Sequence, residues 1–135
     1  MTDLAPFIDI EEAVRALLLR DFAADLPTGK YVGVDWPDEP TMPYVRVEKI
    51  SPGRRERLND YPAVDIEVLA GTRAEAKALI ERIDAHLLDY PHSVAITSGQ
   101  AILDLVTVPI PPAARDWASP NVRRFAGTYT FSVRR

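Results

Sequence analysis

The sequence predicts an α+β fold, a two-layer sandwich in which two helices cover one face of a mostly antiparallel sheet of about five strands. Three observations support this prediction. Two segments repeat apolar residues at helical spacing, about five segments alternate apolar and polar residues, and the elements follow the order α-β-β-β-α-β-β. The length of 135 residues suits a single domain that spans residues 1–135 and buries its own core.

A first helix is predicted over residues 9–25. Asp9 precedes Glu12 by three positions, which is the spacing of a capping box with aspartate as its first member. Pro27 and Gly29 follow the helical pattern and end it, because proline has no backbone N–H to donate and glycine tolerates a positive φ. The apolar residues of this segment form one stripe to be buried: Ile10, Ala13, Val14, Leu17 and Leu18.

Three strands are predicted next, over residues 31–36, 44–50 and 63–70, because each alternates valine or isoleucine with other residues. Residues 37–43 contain three prolines and two acids, which predicts a loop. Residues 51–62 are polar, charged and bounded by prolines, which predicts a long exposed loop. We expect the second and third strands to pair antiparallel around that loop.

A second helix is predicted to start after Thr72. Thr72 and Glu75 form a full capping box. Tyr90, Pro91 and His92 stop the pattern, since proline breaks the helical hydrogen bonds. The apolar stripe of this helix is to pack on the same sheet face as the first: Ala76, Leu79, Ile80, Ile83 and Leu87.

The last third of the chain predicts two further strands and a second shaped loop. Residues 94–97 fit either a short strand or a turn, and residues 100–108 predict a strand with mixed alternation. Residues 109–120 contain four prolines and Trp117, which predicts a loop. Residues 124–134 show the clearest alternation in the chain and predict the closing strand.

Composition excludes several classes of protein. The chain has no cysteine, two histidines and a net charge of −4. A disulfide scaffold, a thiolate zinc site and a cysteine nucleophile are therefore excluded, and a basic DNA-coating domain is not expected. No apolar run is long enough for a transmembrane helix, no targeting signal opens the chain, and no phosphate-binding glycine motif occurs. We expect no membrane contact and no cofactor.

Two groups of polar residues are candidates for chemistry, and both fit a structural role better. His86, Asp84, Asp89 and His92 lie close in sequence, but Asp84 and His86 point to different helix faces, so no metal site is expected. A carboxylate set for acid and base work, in a small enzyme, would comprise Asp65, Glu67 and Asp104. The same pattern is typical of a solvated sheet face, which would also carry Arg46, Glu48, Thr128 and Thr130.

The basic residues are the most specific signal for contacts. Arginine-rich tips suit bidentate contact with carboxylates or phosphates, and tryptophan in a proline-rich loop suits an interface anchor. The alternative for the arginines is a solvated, mobile loop. The alternative for the tryptophan is a lid over the core. The candidate protein-contact residues are Arg54, Arg55, Arg57, Trp117, Arg123 and Arg124.

Two longer patterns carry a resemblance to a known family. The strand VDIEVLA at 64–70 leads directly into RAEA at 73–76 and a helix that ends AHLL at 85–88. The segment PNVRRFAGTYTF at 120–131 follows a proline-rich loop with Arg115, Asp116 and Trp117. Together they resemble tail terminator, or tail completion, proteins of long-tailed bacteriophages.

The resemblance covers about residues 31–135, and the first helix agrees in place and kind. It implies a non-enzymatic structural protein without metal or cofactor. Such proteins form a ring, usually a hexamer, that caps the head-proximal end of the tail tube, stops tube polymerisation and offers a surface to the head connector. The implied partners are other copies of the chain, the major tail tube protein and the head-completion or connector protein.

The resemblance also implies a location in the virion tail, after assembly in the host cytoplasm, with DNA passing through the ring. An acidic or neutral lumen lets DNA slide, whereas a basic lumen would hold it. The arginines therefore fit protein contacts better than DNA contacts. The alternatives are a head–tail connector or neck protein, another adaptor that binds a single protein partner, and the small enzyme named above.

Overall fold

Two helices lie on one face of a six-stranded sheet, in a computed structural model that describes residues 7, 9–24, 32–33, 42–89, 92–96, 99–117 and 121–134. The predicted α+β class is confirmed. In chain order the elements are α1 (Ile10–Asp21), β1 (Val32–Gly33), β2 (Tyr44–Arg55), β3 (Asn59–Ala70), α2 (Arg73–Leu88), β4 (His92–Ile96), β5 (Gly99–Arg115) and β6 (Arg123–Arg134).

The strands are arranged in the order β1-β2-β3-β6-β5-β4. The short strand β1 runs parallel to β2, and every other neighbouring pair is antiparallel. The segment near residue 94, for which the sequence left a strand or a turn open, is the strand β4. With it the described sheet has six strands instead of the predicted five or so. Most of the predicted first strand and the loop after it, residues 31 and 34–41, lie outside the described residues.

Side-chain caps start both helices as the sequence predicts. The Asp9 carboxylate accepts hydrogen bonds from the backbone N–H groups of Glu11 and Glu12, at 3.0 and 3.4 Å. The Thr72 hydroxyl accepts one from the Glu75 N–H at 3.2 Å. The first helix ends at Asp21, earlier than the predicted residue 25, because Phe22 leaves the helical backbone region at φ −115° and ψ 29°.

The core lies between the two helices and one sheet face. Both predicted apolar stripes are buried there, so the two-layer arrangement places them against a common surface. The largest completely buried side chains of this core come from both helices and from the central strands β3 and β6: Val14, Leu17, Leu18, Ile66, Ile80, Ile83, Leu87, Tyr129 and Phe131.

One polar group is accommodated within this core. The hydroxyl of Tyr129 on β6 donates a hydrogen bond to the Asp84 carboxylate on α2 at 2.9 Å. Burial raises the pKa of Tyr129, and the hydrogen bond to Asp84 raises it further. The phenol therefore stays protonated and links the helix to the sheet.

A polar cluster ties the ends of the two helices together. The Asp21 carboxylate lies 2.7 Å from Nε2 of His86 on α2, and Arg20 contacts the same carboxylate at 2.6 Å. The Phe22 ring meets the His86 ring edge to face, with centroids 5.5 Å apart. His86 thus contacts an acid of the other helix, while Asp84 bonds Tyr129. Asp84 and His86 therefore have separate hydrogen-bond partners.

The prediction of a long loop at 51–62 is wrong. β2 and β3 extend into this segment and form a hairpin with its turn near residues 56–58. The register shifts between Ser51 and Arg54, which leaves two residues of β2 opposite one residue of β3. Gly53 occupies this bulge at φ 63°, and a Cβ there would lie 1.9 Å from the Tyr61 carbonyl oxygen. Pro52 lies in the bulge and Pro62 lies opposite it, so neither proline has to donate a hydrogen bond to the ladder.

The predicted loop at 109–120 is also partly wrong, because β5 continues to Arg115. Two register shifts, between Thr107 and Ile110 and between Ile110 and Ala113, contain all the prolines of this strand. β4 pairs only with residues 99–103 of β5, so among the described residues the proline-rich half has a neighbour on one side only. Bulges and sheet edges are the places where proline fits within a strand.

We expect Ile83→Ala to lower the free energy of unfolding by about 2–5 kcal/mol, because Ile83 is completely buried. Leu88→Ala is the matched control in the same helix, since Leu88 is 50% exposed and its loss leaves no cavity. Chemical denaturation of both variants measures the difference. Equal destabilisation by the two substitutions would contradict the two-layer packing.

We expect the Asp21 cluster to make stability depend on pH at the acid end. The hydrogen bond from Arg20, assisted by His86, holds the pKa of Asp21 below its ordinary value. The contribution of the Asp21 carboxylate to the free energy of unfolding is therefore complete above the ordinary aspartate pKa. It is lost as the pH falls through the lower pKa of the folded state. Melting curves of the natural chain and Asp21→Asn should differ most near neutral pH and converge between about pH 5 and pH 2. A difference independent of pH would contradict this role.

Candidate functional site

The structure places the predicted contact residues at opposite ends of the sheet. Arg54, Arg55 and Arg57 lie at the tip of the β2–β3 hairpin, near the start of β3. Arg123 and Arg124 open β6 where it pairs with the end of β3. β3 has 12 residues and so spans about 36 Å. The sequence prediction of two basic groups therefore corresponds to two separate surfaces.

Side-chain contacts order part of the hairpin tip. The Arg54 guanidinium lies 4.3 Å from the centre of the Tyr61 ring and 3.9 Å from the Glu56 carboxylate. The Tyr61 hydroxyl donates a hydrogen bond to Glu56 at 2.7 Å. Arg57 and Leu58 are exposed at the turn. The tip thus presents a cation and an apolar side chain on a braced hairpin, where the sequence suggested a mobile loop as the alternative.

Arg55 has a structural partner. It lies opposite Asp60 across the hairpin and contacts the buried Asp60 carboxylate at 2.9 Å. Its guanidinium also lies 4.5 Å from the centre of the Phe7 ring. The other Asp60 oxygen has no hydrogen-bond partner among the described residues. Arg55 is therefore the one arginine of the tip that compensates a buried charge.

The other end of the sheet carries a basic pocket of about 310 Å³. Trp117, Arg123 and Arg124 line it, together with two arginines outside the predicted contact set, Arg73 and Arg115. Arg73 arrives from the first turn of α2, and Arg115 from the end of β5. Only the pairing of β3, β5 and β6 brings them together, so no local signal could have grouped them. The remaining lining residues are Ala114, Asp116, Val122 and Phe125.

A ladder of ion pairs crosses the sheet face opposite the helices. Glu67 is buried and contacts the guanidiniums of Arg46, at 3.2 Å, and Arg124. Arg46 also contacts Glu48. Arg124 reaches from this ladder into the basic pocket, where its guanidinium lies 5.9 Å from the centre of the Trp117 ring.

The carboxylates considered for acid and base chemistry belong to the same face. Asp65 accepts a hydrogen bond from the Thr128 hydroxyl at 2.6 Å, and Glu67 lies between two arginines. Asp104 lies in β5, and its side chain is outside the described part of the structure. Each described carboxylate therefore has its own partner, an arrangement typical of a structural network.

Within the described ranges, no three histidine or acidic side chains gather closely enough to hold a metal ion. The side chain of His92 is outside those ranges. Neither described helix has the length and apolar character required to span a bilayer.

Comparison with known proteins identifies the fold. No protein-family model matches the sequence, and no curated protein matches it. Nine chains of solved structures do match. One is a chain of a structure described as the virion of a native gene transfer agent particle, with a TM-score of 0.65 and 18% sequence identity. The match covers 93% of this chain and 95% of that chain, and it shows that the two share their fold.

We expect Arg55→Gln to lower the melting temperature by several degrees, because it leaves the Asp60 carboxylate buried without an opposite charge. Arg57→Gln is the matched control, since it removes the same charge from the exposed turn. The double variant Arg55→Gln/Asp60→Asn should recover part of the loss. Equal melting temperatures for the two single variants would show that the ion pair does not stabilise the hairpin.

Proposed function

We propose that this chain is a structural protein of a phage-like virion. The observation that carries the proposal is the shared fold with a chain of the gene transfer agent virion, matched along nearly the whole length of both chains. The tail-terminator resemblance rests on separate grounds, the sequence patterns at residues 64–88 and 120–131. Both lead to an assembly protein, and the structural partners of Asp65 and Glu67 favour this over the small enzyme.

Within that class, we propose a tail terminator that forms a hexameric ring at the head-proximal end of the tail tube. The ring would stop tube polymerisation and bind the head connector, with DNA passing through its lumen without sequence-specific contact. A subunit in this position needs separate contacts toward the tube and toward the head. The hairpin tip and the basic pocket, about 36 Å apart along β3, supply two such surfaces.

The arginines are proposed as the contact residues of these surfaces, and the hairpin contributes Arg54 and Arg57. Arginine forms bidentate pairs with carboxylates, and a pair excluded from water at an interface is worth far more than one at its rim. Arg55 contributes less to such contacts, because its guanidinium is engaged by Asp60.

The proposal is tested by reversing charge at the tip while preserving the fold. We expect tails assembled with Arg54→Glu/Arg57→Glu in place of the natural chain to be overlong or ragged in electron micrographs. The melting temperature should fall by no more than a few degrees, because both side chains are exposed and the contacts of Arg54 with Glu56 and Tyr61 lie at the surface. Arg55 is left in place so that the buried Asp60 keeps its partner.

A second pair of variants separates a local contact from a general charge effect. Arg57→Glu and Lys77→Glu each reverse one exposed charge, at the hairpin turn and in the second turn of α2. Only the first should disturb tail length. Tails of normal length that fail to join heads would indicate a neck protein instead, and normal tails that join heads would remove the contact role of the tip.

A further inference from the structure

The basic pocket contains an excess of positive charge. Four guanidiniums line it, those of Arg73, Arg115, Arg123 and Arg124, against the single carboxylate of Asp116. Of the four, Arg124 is already neutralised by the buried Glu67. The pocket is therefore complementary to an anion even after its internal ion pair is counted.

Two of these arginines are available to a ligand. Arg73 and Arg115 are exposed, and neither makes an ion pair with any residue in the described part of the chain. The Arg73 guanidinium lies 5.6 Å from the centre of the Phe125 ring, and Arg115 contacts the carbonyl oxygen of its neighbour Ala114 at 3.4 Å. Both can reorient toward a carboxylate without breaking a salt bridge.

The walls between the arginines are apolar. Ala114, Trp117, Val122 and Phe125 contribute carbon surface to a concave volume of about 310 Å³. A site for single-stranded nucleic acid combines aromatic side chains with a basic track that follows several nucleotides. Here the arginines surround one depression of about 310 Å³, which suits a single anchor side chain with charge at its rim. The observed combination fits a protein segment better than a nucleic-acid backbone.

From these observations we propose that the pocket binds a segment of a virion protein in which an aromatic or large apolar side chain is flanked by carboxylates. The apolar side chain lies against Trp117 and Val122, which are less buried than Phe125, and the carboxylates pair with Arg73 and Arg115. The inference rests on the proposed structural role of the chain and names the chemistry of the partner at this end of the sheet.

The test is a titration of the isotope-labelled chain followed by NMR, with the peptide N-acetyl-Asp-Phe-Asp-amide as the probe. We expect saturable shifts of the Trp117 indole N–H signal, with a dissociation constant below about 10 mM. Arg73→Gln/Arg115→Gln should weaken binding by at least about tenfold. The matched control Arg54→Gln/Arg57→Gln removes the same charge from the hairpin tip and should leave binding unchanged. Melting curves establish that both double variants are folded.

Several results would overturn the proposal: an absence of saturable shifts, equal binding of N-acetyl-Asn-Phe-Asn-amide, or equal weakening by the two double variants. An oligothymidine that displaces the peptide from Trp117 would reassign the pocket to phosphate. The titration measures the pocket alone, whereas tail length measures the capping role. A failed titration with normal dependence of tail length on the hairpin tip would therefore reject this inference and leave the proposed function intact.

Discussion

The long antiparallel pairing of β3 with β6 is the constraint on which the other features depend. Ten residue pairs join these strands, from Asn59 opposite Arg134 to Ala70 opposite Arg123. Because side chains alternate between the faces of a strand, a slip of one residue would move Glu67 into the core and Ile66 out of it. The same register sets the hairpin at one end and the basic pocket at the other. The core and both candidate surfaces are thus consequences of one pairing.

The ion-pair ladder reinforces this register from the face that the helices leave uncovered. Arg46 on β2, Glu67 on β3 and Arg124 on β6 form a row across three strands. Removing the arginine partners of Glu67 would lower the free energy of unfolding, because its buried carboxylate would lose the opposite charges beside it. Arg124 also borders the basic pocket, so a ligand there would act on a side chain that is already part of the sheet's own network. Under the proposal, Arg124 would therefore serve both the stability of the fold and the binding of a partner.

Local signals in the sequence were sufficient for the helices and for the composition of the core. The caps at Asp9 and Thr72 and the two apolar stripes involve residues within a few positions of each other, so they could be predicted without the sheet. The prolines near residues 52 and 111 misled the prediction, because a bulge that tolerates proline is defined by the partner strand.

The candidate surfaces depended more on contacts between distant segments. Arg55 was grouped with Arg54 and Arg57 by sequence, but the hairpin register places it against Asp60. Arg73 and Arg115 stand 42 positions apart in the chain, and only the sheet brings both to one pocket. The roles of Trp117, Arg123 and Arg124 as protein contacts stay predictions, now with a described cavity in which to test them.

The proline-rich half of β5 has a further consequence for the ring proposed above. A bare strand edge is a template on which another chain can add a strand, and repeated addition leads to fibres. Each proline in this half removes one N–H donor, and the two bulges distort the ladder that an incoming strand would have to match. Along this part of β5 the described sheet resists growth by backbone pairing. Association would then depend on side-chain surfaces of fixed geometry, which can close into an assembly of defined size instead of extending without limit.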